Sequence, residues 1–593
     1  MKQITYRIHK DKIVIRLKDH LCDTSIELLS SKIFQHVLTN AITSLTHRNS
    51  RLMEIFDHKD IKTEDIHLLI ETLKFLTKLP AALVPRVLTS SDQFFRDSNL
   101  FNDFVEHVYN YWRELQRLII CESEGEQSDQ RPYRTFNNTI ETLTHIVRST
   151  YRDIQENITG NHPRIYRQVR AGAEIAAIAL TKEIPYPDGA YRMLNDISII
   201  RQVLIYPPLI FNPPTNKRSG VFERVDRNPL EFIIPKKEEW LCYPARVGAL
   251  VIMVYFTLDY FELGFALCNL FDMADDSDLM RPPDAVYLFG VPDTQFPSLG
   301  ECRTIFYDDN TSNGILVGAL PDNPEFGYFG YLKKMILTLH NIKMMKMHRL
   351  PYHGAMVNLS LRNKRNYTVL IMGDTGAGKS ETIEALRSIA GDKIDDLTII
   401  ADDMGSLEIT SQGEIMGYGT ETGAFVRLDD LQPGFAFGQI DRAIIMSPAQ
   451  MNARVVIPVT TYGNIMKGFS PDLVLYANNY EPVDSKHPII ERFQTAEEAL
   501  HVFRSGTVMS KGTTTSRGLV HSYFANVFGP AQYQDLHEPL AKEYFNAFFK
   551  QSKYIGQIRT RLGLTGEERT GPEAAAQALL LTLNKIQELS RIQ

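Results

Sequence analysis

Apolar positions change their spacing twice along the chain. Up to about residue 200 they recur mainly at helical intervals, as over 101–120 and 172–184, after a short opening strand at 13–17. From about 200 to 350, proline turns (Pro207-Pro208, Pro213-Pro214, Pro282-Pro283) alternate with short β-type runs such as 303–307 and 314–320. Beyond 350, strand and helix patterns mix. Residues 572–591 close the chain as a helix, with Pro572 at its start and a stripe of Leu579, Leu580, Leu583 and Ile586. The pattern predicts an α/β protein in three parts: a mainly α-helical extension over 1–200, an α/β lobe over 201–350 and a second lobe over 351–593.

The most apolar window, 247–258, is twelve residues long and runs into Asp259 and Glu262. A bilayer span needs about twenty apolar residues, so the window reads as a buried core element. The acidic stretch 122–132 reads as a solvated loop. The chain has 593 residues, 44% hydrophobic and 23% charged, with a net charge of −7. This is the composition of a globular protein, and it excludes a collagen, a coiled-coil rod or a mostly disordered chain. The net negative charge offers no footprint for nucleic acid. Five scattered cysteines (Cys22, Cys121, Cys242, Cys268, Cys302) form no CxxC pair. They suggest free thiols in a reducing compartment. With no secretory signal visible at the N-terminus, a cytoplasmic protein without a membrane partner is expected.

The strongest chemical signal is Gly373-Asp374-Thr375-Gly376-Ala377-Gly378-Lys379-Ser380, which fits G-x-x-x-x-G-K-[ST] at every fixed position. A β-rich run at 367–372 leads into it, and a helix opening at Glu381 leaves it. Strand, glycine loop and helix form a phosphate cradle. Glycines let successive N–H groups turn inward, and the helix N-terminus adds its positive end. Lys379 then reaches the β- and γ-phosphates, and Ser380 holds Mg²⁺. A second apolar run, 397–401, ends in Asp402 and Asp403. Paired carboxylates beside a phosphate loop suit a metal, although an aspartate there also suits a turn cap.

Other segments then fall into a recognisable order. They are Tyr328-Phe-Gly-Tyr331-Leu-Lys333-Lys334, His353-Gly354, the loop, Asp402-Asp403, Thr420-Glu421, Asn452-Ala-Arg454, Phe503-Arg-Ser-Gly506, Gly512 to Arg517-Gly518 and Phe528-Gly-Pro530. Over residues 300–570 this series resembles ATP-dependent phosphoenolpyruvate carboxykinase. The loop, with its Ser380-Glu381, also resembles HPr kinase/phosphorylase, a relative in fold. The resemblance implies a two-lobed carboxykinase-like core whose substrates are oxaloacetate or phosphoenolpyruvate and ATP or ADP. It implies Mn²⁺ on Lys334, His353 and Asp403, and Mg²⁺ on Ser380 and Asp402. Tyr328 and Arg454 would meet substrate, and Glu421 and Arg517 would lie in the nucleotide site.

Two departures stand out. Tyr331 replaces the family's glutamate, and Met404-Gly405 replaces its Glu-His. The family's N-terminal Arg-Ser-Pro-Lys-Asp-Lys segment, whose arginine holds oxaloacetate, has no clear counterpart, and Arg218 is the candidate in its place. Two other readings stay open. One is an HPr-kinase-like enzyme acting on a protein or small-molecule hydroxyl. The other is a non-catalytic nucleotide-binding regulator. The helical N-terminal region could serve a protein partner or self-association.

Overall fold

The computed structural model describes residues 4–18, 21–122, 132–218, 222–295, 303–311, 314–362, 365–389, 394–428, 440–510, 518–529 and 533–592. The fold is mixed α/β, with two compact units. The first comprises Met1–Leu180 and Ile200–Tyr206, and the second Thr181–Ile199 and Pro207–Gln593. The lobes expected over 201–350 and 351–593 fall almost wholly within the second unit. Arg517, Cys302 and nearly all of the acidic loop at 122–132 lie outside the described residues.

The first unit holds more strand than its spacing predicts. A hairpin of Thr5–His9 and Lys12–Leu17 is followed by Gln116–Cys121, parallel to Lys12–Leu17, and by Ile175–Leu180, parallel to Gln116–Cys121. The helical expectation over 101–120 ends early, since the helix Ser98–Glu114 gives way to that strand. Over 172–184 it fails, because the segment is the strand Ile175–Leu180. Ile175–Leu180 and the 118–121 part of Gln116–Cys121 are continuous apolar runs that the sheet buries, and such runs carry no alternation to separate them from helix. Helices Lys32–His47, Thr63–Leu76, Ser98–Glu114 and Pro132–Thr159 supply the rest of the unit. Ser31 and Asp97 cap the first and third of these through the N–H groups of Phe34 and of Asn99 and Leu100. Arg117 is 1% exposed and donates to the carbonyls of Gly172, Trp112 and Leu115 and to Glu174. With its donors occupied, the cation is tolerated inside.

The second unit is built on three larger sheets. The apolar window forms the turn and second strand of a hairpin, Trp240–Val247 with Leu250–Thr257. Ala285–Val291 and Leu316–Pro321 extend it in parallel. In the next sheet the long strand Leu350–Leu361 pairs with Asn366–Met372 along one edge and with Ile394–Ala401 and Met404–Ile409 along the other. Leu473–Asn478 and Tyr554–Arg559 continue it in parallel. A third sheet contains Gly423–Arg427 and Arg454–Pro458. Helix Phe329–Lys346 is buried on nearly every side, its polar Lys333, Thr338, His340, Asn341 and Lys343 included. The expected C-terminal helix is present as Thr570–Ile592, and its Leu579, Leu580 and Leu583 join the core beneath the phosphate loop. Four described cysteines are free thiols. Among the described residues no helix is long and apolar enough to cross a membrane.

Candidate active site

Sheet register aligns the motifs. In the strand Leu350–Leu361, His353 stands opposite Met404 and Gly354 opposite Met372. Gly373 N donates to His353 O at 3.0 Å and Gly354 N to Asp403 O at 2.9 Å. The His-Gly pair, the loop's first glycine and the second aspartate therefore meet at one level of the sheet. Strands Asn366–Met372, Leu473–Asn478 and Tyr554–Arg559 run parallel, and Gly373, Asn479 and Thr560 follow their carboxyl ends. Ligands of open α/β sheets bind at that edge.

Two of those residues shape the loop. Asn479 Nδ2 donates to Gly376 O at 2.8 Å, and its amide is locked by exchange with Met509 N and O. Thr560 Oγ1 donates to Ala377 O at 2.7 Å. These bonds hold two consecutive loop carbonyls, while Ala377 N donates to Asp374 O at 3.0 Å and Thr375 N to Asp374 Oδ1 at 2.6 Å. Gly378 has φ +92°, and a Cβ there would meet Thr560 Oγ1 at 2.5 Å, so only glycine suits this position. Lys379 Nζ, 5% exposed, curls onto Gly373 O at 2.7 Å and Asp374 O at 3.1 Å. Thr375 and Ser380 are exposed on the loop, and Glu381 is half-buried in the first turn of the helix Lys379–Ile389.

Helix Phe329–Lys346 delivers the two lysines. Lys333 Nζ lies 2.8 Å from Asp403 Oδ2 and 2.9 Å from Glu421 Oε1, with Lys333 and Glu421 3% and 1% exposed. Burial opposes the Lys333 charge, yet the two carboxylates raise its pKa above the ordinary lysine value. Lys334 Nζ lies 3.5 Å from Asp403 Oδ2 and 4.0 Å from the centre of the Phe528 ring. Burial, with Lys333 and Arg218 nearby, lowers its pKa to about 8 despite Asp403. Two adjacent lysines are thus driven apart, one held as a cation and one brought within reach of the neutral amine that ligates metals. Despite burial, Lys333, Lys334 and His353 keep the Asp403 pKa well below the carboxylate range. Burial, reinforced by Asp403 and Glu421 against the pull of Lys333 and Lys379, pushes Asp402 up to about 6.

His353 is fully buried, and its Nδ1 meets the carbonyl of Ala525 while Nε2 lies 2.9 Å from Asp403 Oδ1. A carbonyl only accepts, so Nδ1 carries the hydrogen of that bond. The Nε2 lone pair then faces a carboxylate oxygen, an arrangement that calls for a proton or a cation between them. With the Lys334 amine beside it, this donor set fits a divalent ion. Among the described residues no three His, Cys, Asp and Glu side chains gather as a metal site; the trio here counts a lysine among its donors. The Ala525 carbonyl is presented by three consecutive left-handed residues, Phe524, Ala525 and Asn526, at φ +46°, +58° and +60°. Such strain persists only where the surroundings impose it.

The substrate-side residues gather as well. Tyr328 is 5% exposed, and its ring lies over Gly330, where a Cβ would meet it at 2.3 Å. Its hydroxyl bonds with Arg454 and Asn452, and burial raises its pKa against the pull of Arg454. Arg454, first residue of the strand Arg454–Pro458, has a buried Nε without a hydrogen-bond partner. Arg218 interacts electrostatically with Tyr331, Tyr328 and Lys334, and burial lowers its pKa. Glu421 is occupied by Lys333 and by Thr420 Oγ1 at 2.7 Å. Asn479, Thr560 and the turn Phe524–Asn526 escape sequence reasoning, and only the positive-φ turn could have left a trace, in Asn526. No family model matches the chain, and a search of curated proteins finds no match.

Proposed function

We propose that the second unit is an ATP-dependent carboxykinase of the phosphoenolpyruvate type, converting oxaloacetate and ATP to phosphoenolpyruvate, CO₂ and ADP, in a cytoplasmic setting. The convergence of Lys334, His353 and Asp403 beside the phosphate loop carries this reading. Lys334, His353 and Asp403 would hold Mn²⁺, and Ser380 and Asp402 would hold Mg²⁺; bound there, the ions supply charge stabilisation to a developing enolate oxygen and to the phosphates. Lys379 leaves its loop carbonyls to meet the β- and γ-phosphates, and the loop N–H groups bind the same oxygens. Arg454, with an unpartnered Nε, places a planar cation between the γ-phosphoryl group and the substrate carboxylate. Tyr328 orients substrate through its hydroxyl, and Arg218 supplies a second cation for a dicarboxylate. Lys333 keeps Asp403 ionised and in place.

A second reading, phosphoryl transfer to a hydroxyl, draws support from Asp402. A carboxyl pushed up to about 6 suits a general base better than Asp403 does. One assay separates the two. Purified protein is given ATP, Mg²⁺, Mn²⁺ and oxaloacetate, and phosphoenolpyruvate and CO₂ are followed, with Lys334→Ala and Lys379→Ala as controls. Phosphoenolpyruvate formed by the wild type and lost in both variants is the expected result. ATP binding without phosphoenolpyruvate overturns the carboxykinase reading and leaves the hydroxyl kinase or a non-catalytic nucleotide-binding regulator.

A further inference from the structure

The first unit contains a cavity of about 310 Å³, bounded by the hairpin Thr5–His9 and Lys12–Leu17 and by helices Ser25–Ser30, Lys32–His47, Ser98–Glu114 and Pro132–Thr159. Its walls are almost entirely apolar. Ile15, Leu29, Val37, Phe104, Leu143 and Ile154 among them are each 3% exposed or less.

Lys32 is exposed and Tyr109 stacks on the Tyr151 ring at 4.0 Å; the other polar side chains on the walls are engaged within the protein. Trp112 Nε1 donates to Ala171 O at 2.6 Å, and Thr150 Oγ1 to Ser25 Oγ at 2.8 Å. Tyr6 OH donates to Lys32 O at 3.2 Å, the Tyr151 hydroxyl donates to Glu106, and Ser31 Oγ accepts from Phe34 N. A trapped water needs two to four polar partners, and these groups have given theirs to the protein. Several lining residues, Tyr6, Leu21 and Leu28 among them, are half-buried, so the space is reached from the surface and leaves apolar wall exposed to water. Wall chemistry and volume together call for a hydrocarbon occupant. A dry cavity of about 150 Å³ takes benzene, and twice that volume suits a chain of about ten carbon atoms.

We propose that this cavity is a binding site for the alkyl part of a small molecule, a hydrocarbon chain of about ten carbons. This gives the first unit a ligand of its own, and it does not rest on the carboxykinase reading. Trp112 on the wall is a built-in reporter, because the chain's other tryptophan, Trp240, is buried in the core of the second unit.

The test is titration of the full-length protein with decan-1-ol, read by tryptophan fluorescence and by the thermal midpoint. Saturable binding with a blue shift and a raised midpoint is expected. Val147→Phe and Val37→Phe, which extend wall residues into the space, should each weaken decan-1-ol binding at least tenfold without lowering the midpoint. Absence of a saturable response in the wild type up to the solubility of decan-1-ol overturns the proposal, whatever the variants do. Unchanged affinity in both folded variants overturns it as well, since the alcohol then binds elsewhere.

Discussion

The candidate active site and the apolar cavity are two ways of preparing a protein interior for a ligand. Around His353, buried ionisable groups face one another: an imidazole nitrogen opposite a carboxylate, and two lysines sharing Asp403. Around Trp112, most polar contacts close within the protein, and the walls offer mainly apolar surface. The first arrangement suits a charged ligand, on the proposed reading an ion and a phosphate. The second selects shape and hydrophobicity. A charged site therefore depends on single partners, whereas an apolar one depends on volume.

The largest effect that would separate the two regions is on stability. Lys333→Met removes the cation that buried Asp403 and Glu421 share and should cost about 3–5 kcal/mol, measured by urea unfolding. No single polar truncation on the cavity wall should approach that figure, and one that did would break the comparison. Next come Lys334→Ala and Lys379→Ala, each expected to lower phosphoenolpyruvate formation about 10²–10³-fold while leaving decan-1-ol binding unchanged.

Acid gives a third test. Burial lowers His340 and His537 to about 4 in the folded protein, against about 6.5 in an unfolded chain. Between these values the unfolded state binds more protons, so stability rises with pH there and falls as pH drops through about 6.5. Each histidine contributes about 1.4 kcal/mol per pH unit. Asp402, pushed up to about 6, pulls the other way, so the check is relative: the midpoint should fall more steeply from pH 6.5 to 4.5 in the wild type than in a His340→Gln, His537→Gln variant. Asn479→Ala should weaken ATP binding about tenfold by freeing the Gly376 carbonyl, which titration calorimetry can read in a protein that still folds. The smallest effect is that of Ala525→Gly. Glycine relieves one left-handed residue and should raise stability by up to about 1 kcal/mol.

What the sequence carried by itself was local chemistry. A phosphate loop is contiguous, so its glycines, Lys379 and Ser380 can be read in a row, and the strand before it and the helix after it follow from spacing. The pair Asp402-Asp403 and the final helix were equally plain. The strands Gln116–Cys121 and Ile175–Leu180 were not, because a strand buried on both faces loses the alternation that marks it. Tertiary structure alone decided which of two adjacent lysines holds its proton more tightly. Lys333 and Lys334 differ by the carboxylates and cations that other elements bring to each. It alone decided that Asn479, Thr560 and Ala525 serve the site, since their roles are single hydrogen bonds to residues between 103 and 183 positions away in the chain. The cavity has no motif whatever. It is a volume left between elements that are each well formed, and volume is a property of packing rather than of any stretch of chain.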